Sequence, residues 1–181
     1  HNLVTAEDVQ GPTEDVLHEL QGMIESEILA LMDDVIAAGN SIDLGGDTTI
    51  TSTAAISEIV FTEYHGRQAI EVTMMDATVL GPMSMNDVEV VPTDEEPYDI
   101  YDDAAPFLPK AGWNYLLFHK DRSLGVHNPS FTLNAIEDTM EAIEEGGGPG
   151  PGPGDGANAV ACTSDYVYWT EIAAHASGVA G

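Results

Sequence analysis

Apolar residues recur at helical spacing from Val16 onward: Val16, Leu20, Met23, Ile24, Ile28, Leu31, Met32, Val35 and Ile36. That period places them on one stripe of a helix. Gly11-Pro12 closes an irregular lead-in. Thr13 offers an N-cap oxygen, and Glu14 and Asp15 put negative charge in the first turn, where a helix favours it. Gly39-Asn40 is a stop signal. The pattern predicts a long amphipathic helix over 13–38.

From Asp47 the period shortens to two. A Thr-rich run, Thr48 to Thr53, precedes Ile56-Ser57-Glu58-Ile59-Val60-Phe61, and Ile70, Val72 and Met74 alternate with Glu71 and Thr73. His65-Gly66 and Asp76-Ala77 separate these β-prone runs and predict tight hairpins. Gly81-Pro82 reads as a further break before Val88 to Val91. The result is a small antiparallel β element inserted at about 47–91.

Thr93 to Asp103 is an acidic connector, with Asp102 or Asp103 as a candidate cap for a helix carrying Trp113, Leu116 and Leu117. After a polar turn, Asn128-Pro129 marks a second helix start, with Asn as N-cap and Pro at the first helical position. Its stripe is Ile136, Met140 and Ile143, ending at Gly146. The expected class is α+β: long amphipathic helices and a small β insertion over 1–145, a Gly/Pro linker at 146–156, and a tail or the start of a β-rich module at 157–181. That linker has nothing to bury. Asp165 to Ile172 reads as a single strand, which cannot fold without a partner.

Charge sharpens the picture. Four Lys+Arg against 32 Asp+Glu give a net charge of −28. Such a surface repels phosphate backbones and disfavours a nucleic-acid partner. It suits solubility in high salt, where self-repulsion is screened. No apolar run reaches the roughly 18 residues of a membrane span. The numbering opens on His1 rather than Met, which is consistent with a removed leader.

Catalytic signatures are missing from the sequence. There is no G-x-S-x-G, and the glycines of 146–156 follow a helix and alternate with proline, unlike a phosphate loop. The one cysteine, Cys162, forms no C-x-x-C pair and no C-x-x-C-H. Among His1, His18, His65, His119, His127 and His175, no two are spaced i, i+4 as a helical zinc pair. His127 differs from the rest. It lies between Gly125 and a marked helix start, on a turn constrained at both ends, where an imidazole loses little entropy on binding iron. On the residues alone the commoner role for such a residue is that of a hydrogen-bonded structural histidine.

The run Trp113-Asn114-Tyr115-Leu116-Leu117-Phe118, with Asp121-Arg122-Ser123-Leu124-Gly125-Val126-His127-Asn128-Pro129, resembles the C-terminal segment of secreted multihaem c-type cytochromes. The helix running to Gly39-Asn40 is similar to one that follows the last haem motif in that family. The resemblance covers about residues 1–145. It implies that His127 is an axial ligand to haem c attached outside these 181 residues. It also implies that His1 is the closing histidine of a C-x-x-C-H motif, and that Trp113 and Tyr115 pack against the porphyrin or the helix core. The implied role is a non-catalytic, extracellular or cell-surface part of an electron-transfer protein. Its partners would be a haem-bearing region or chain and other redox proteins. The competing expectation is a cofactor-free secreted module that makes surface contacts or assembles into filaments. A metal-dependent hydrolase using scattered Asp and His is the third.

Overall fold

Helix α1 (Ala6–Ala37) is the beam on which the rest is hung, and it packs against both other helices and two strands. The computed structural model describes residues 6–120, 126 and 128–146. Strands β1 (Ser41–Asp43), β2 (Thr49–Ile50), β3 (Ile56–Tyr64), β4 (Arg67–Met74), β5 (Val79–Ser84), β6 (Glu89–Val91) and β7 (Tyr98–Asp99) follow α1. Helices α2 (Phe107–Lys120) and α3 (Pro129–Glu144) close the described part. The fold is α+β, as the patterning predicts. The chain divides into two units, His1–Gly150 and Pro151–Gly181. The predicted tail strand and nearly all of the linker lie outside the described residues.

The α1 stripe is buried as expected: Leu17, Leu20, Ile24, Ile28, Met32 and Val35 all lie in the core. The helix nevertheless begins earlier than the sequence predicts and runs through Pro12. Proline removes one N–H and crowds the carbonyl four residues back, which normally breaks a helix interior. Here it falls in the second turn, where few bonds depend on it. Thr13 is no cap but a fully buried residue.

Two antiparallel sheets flank α1. The first has the order β2-β1-β6-β7 and the second β3-β4-β5. The β region thus runs from 41 to 99, wider than the predicted insertion, because pairs of two or three residues are too short to leave a period. The His65-Gly66 hairpin holds: Tyr64 pairs with Arg67, and φ is +52° and +80° at the two turn residues, the signature of a type I′ turn. The predicted break at Gly81-Pro82 is instead inside β5. The ladder to β4 slips between Ile70 and Val72 opposite this pair. Gly81 at φ +103° takes the kink, and Pro82 lacks a donor but sits on a sheet edge.

Neither Asp102 nor Asp103 caps α2. Asp102 ends a short 3-10 turn after β7 and Asp103 is that turn's C-cap, and α2 starts at Phe107. Residues before proline avoid the α region, so Pro106 delays the start. Asn128 does cap α3, accepting from the Phe131 N–H, with Pro129 behind it. Helices α2 and α3 run side by side, linked by Asn114 donating to Thr139 Oγ1 at 2.9 Å.

Candidate functional site

Helix α2 has two unlike faces. The inner face carries Leu108, Ala111, Gly112, Tyr115 and Leu116, all buried. Gly112 is there because nothing larger fits. A Cβ at this position would run into the Gln68 side chain and reach 2.9 Å from Phe61 Cζ. The close approach supports a polar knot. Gln68, only 5% exposed, donates to Pro109 O at 2.8 Å and accepts from the Tyr101 hydroxyl at 2.7 Å. Burial pushes that hydroxyl well above the usual tyrosine range, and the charge of Asp99 adds to the effect.

Phe61 is held from the other side by α1. Gln21 Nε2 donates to Phe61 O and Phe61 N–H donates to Glu25 Oε1, both at 2.8 Å. Strand β3 is an edge strand, and these two side chains, one helical turn apart, do what a neighbouring strand would do. Burial lifts the Glu25 carboxyl above its ordinary range, against the opposing pull of the Phe61 N–H.

The outer face of α2 carries Lys110, Trp113, Leu117 and Lys120 at i, i+3, i+7 and i+10, which is one strip of a helix. Trp113 is 48% exposed and Leu117 44%. Phe131, in the first turn of α3, is also exposed at 47%. Lys110 and Lys120 are the only lysines in the sequence, and both stand on this strip. Lys120 Nζ pairs with Glu63 Oε1 at 3.0 Å, which with the Gly66 N–H holds the Glu63 carboxyl below its ordinary range. Lys110 makes no ion pair among the described residues.

The residues singled out from the sequence are placed differently from one another. Trp113 stands on the open strip. Tyr115 is built into the core, edge-on to Phe61 with ring centroids 5.6 Å apart and stacked on His119 at 5.2 Å. Its hydroxyl lies 3.5 Å from His119 Nδ1, and burial raises its pKa. His127 and His1 lie outside the described residues, as do Cys162 and His175. His18 is exposed on α1 and His65 sits at a hairpin tip. Among the described residues no three His, Cys, Asp or Glu side chains are grouped to hold a metal. No helix there is long and apolar enough to cross a membrane.

A shallow cleft of about 330 Å³ lies at the C-terminal end of α1, between Ile36, Asn40, Thr51 and Val91. Its lining holds no titratable side chain, so it offers neither acid nor base. Sequence reasoning missed the Gln68 knot and the Gln21–Glu25 clasp. The signals are faint: a Gln before the apolar pair Ala69-Ile70, and two polar residues at i, i+4 among the many on an amphipathic helix.

No known protein family, curated protein or solved structure matches this chain.

Proposed function

We propose that this domain is a non-catalytic, extracellular part of a multihaem c-type cytochrome, and that the corner made by α2 and α3 is where a haem-bearing neighbour docks. The observation that carries this reading is the exposed apolar strip of Trp113 and Leu117 with Phe131. Large apolar side chains left half in water beside well-packed helices mark interaction surfaces. The exposed residues belong to the two helices that flank 121–128, the segment that carries the G-V-H-N-P run up to its Pro129 at the start of α3. In this reading His127 is an axial ligand, and Trp113 lies against the porphyrin or its surrounding polypeptide. Tyr115 acts from behind, bracing α2 on Phe61. Two histidine ligands would leave no open iron position, which suits electron transfer rather than substrate chemistry. Haem c would supply the redox chemistry, held covalently by cysteines outside these 181 residues.

The visible spectrum of the protein purified from its source tests this. A Soret band with split bands on reduction is expected, and His127→Ala should abolish the low-spin signature of one haem. A colourless preparation sinks the proposal and favours a cofactor-free surface module, whose partner would use the same exposed strip.

A further inference from the structure

Helix α3 is held more lightly than the elements beside it. Its buried positions are Ile136, Ile143, Thr132 and Thr139, whereas α1 buries Leu17, Leu20, Ile24, Ile28, Met32 and Val35. Two of the four on α3 are therefore threonines, which bring little apolar area to the contact. Ala135 and Met140 add partial cover, and Phe131 stands half in water. The charges of α3 also work against it. Glu137, Asp138, Glu141 and Glu144 all lie in its C-terminal half, and all four are exposed. The first turn carries no acid and the last turn no base. Carboxylates at that end face the negative pole of the helix dipole. Glu137 and Glu141 are i, i+4 neighbours and Glu141 and Glu144 are i, i+3 neighbours, so like charges stand side by side. The helix it packs against offers no relief: α1 carries nine Asp and Glu and no Lys or Arg. On α2 the lysine within about a turn of the Asn114–Thr139 contact is Lys110, which makes no ion pair among the described residues. No α3 carboxylate is ion-paired among them either.

We propose that α3 is a salt-dependent latch, docked on α1 and α2 when dissolved cations screen these carboxylates and opening on its own as ionic strength falls. Exposed charges on neighbouring turns feel one another at low salt, because the screening length is roughly 30 Å at 0.01 M and shrinks to roughly 3 Å at 1 M. Strands β3 and β4 are anchored instead by Phe61, Ile70 and Val72, each fully buried. An element with few apolar contacts and unfavourable charge opens before such a core does. Opening bares the sides of α1 and α2 that α3 covers. The latch does not depend on what docks at the α2–α3 corner.

Amide hydrogen exchange of the full chain, read by mass spectrometry on peptides at about 0.02 M and about 2 M NaCl, tests this. Peptides from α3 should exchange about tenfold faster or more at low salt, with β3 and β4 changing much less. Glu141→Gln combined with Glu144→Gln removes two exposed charges without touching the buried face, and should cut the salt effect on α3 by about half. Glu95→Gln combined with Glu96→Gln makes the same change of charge in an exposed connector and should leave the effect in place. An α3 that exchanges at the same rate in both salts, α3 and β3–β4 responding in step, or equal effects of the two double variants overturns the proposal.

Discussion

The inner and outer faces of α2 are built from the same fourteen-residue helix and obey opposite rules. The inner face is closed to the last atom. Gly112 lets the helix sit against Gln68 and Phe61, and Gln68 satisfies its own amide through Pro109 and Tyr101. No buried side-chain polar atom among the described residues lacks a partner. The outer face leaves an indole and a leucine half in water, between two of the four strong cations in the sequence. The contrast teaches where tolerance lies. A single added methyl should be felt on one side, and whole side chains should be exchangeable on the other.

The largest expected effect breaks the inner face. Gly112→Ala forces Gln68 aside and strains or breaks its two hydrogen bonds. Overpacking and lost buried bonds together should cost about 2–3 kcal/mol, against at most about 1 kcal/mol gained in helix propensity. Thermal unfolding monitored by circular dichroism checks this, and an unchanged Tm would mean that α2 does not sit as close as described. Trp113→Met comes next, on the outer face. It keeps a long apolar stem over the half that is covered, so the loss in thermal unfolding should stay at about 1 kcal/mol. A loss as large as that of Gly112→Ala would dissolve the contrast.

The smallest effect concerns the Glu25 clasp behind Phe61. The folded-state pKa of Glu25 is raised, chiefly by burial. Its protonated form is therefore the favoured one. The associated stability is complete below the ordinary carboxylate range and is lost as pH rises through the raised value. Glu25→Gln keeps an acceptor for the Phe61 N–H without the charge. Relative to wild type it should gain stability between about pH 4 and pH 7, by well under 1 kcal/mol because the site is partly solvated. Paired Tm measurements at the two pH values read the difference, so charge effects common to both proteins cancel. A gap that narrows as pH rises would contradict the assignment.

Elements with a strong period could be read from the chain alone. The stripe from Val16 to Ile36, the alternation through β3 and β4, the His65-Gly66 turn and the Asn128-Pro129 cap each follow from local chemistry: backbone geometry, side-chain branching and unpaired amides at a helix start. The same residues placed Trp113 on a helix and singled out His127, which lies outside the described residues. Local chemistry could not separate Trp113 from Tyr115. They stand two positions apart and look alike in sequence, yet one faces water and the other faces Phe61. A helix places positions two apart about 200° round its axis, so only the partner element decides which is buried. Nor could it foresee that α1 would extend through Pro12, that Gln21 and Glu25 would clasp an edge strand 36 to 40 residues away, or that Gly112 answers to Gln68. Those features exist only where distant segments meet. Tertiary contact made one face of α2 a sealed packing surface and left the other as the molecule's open, cation-flanked apolar strip.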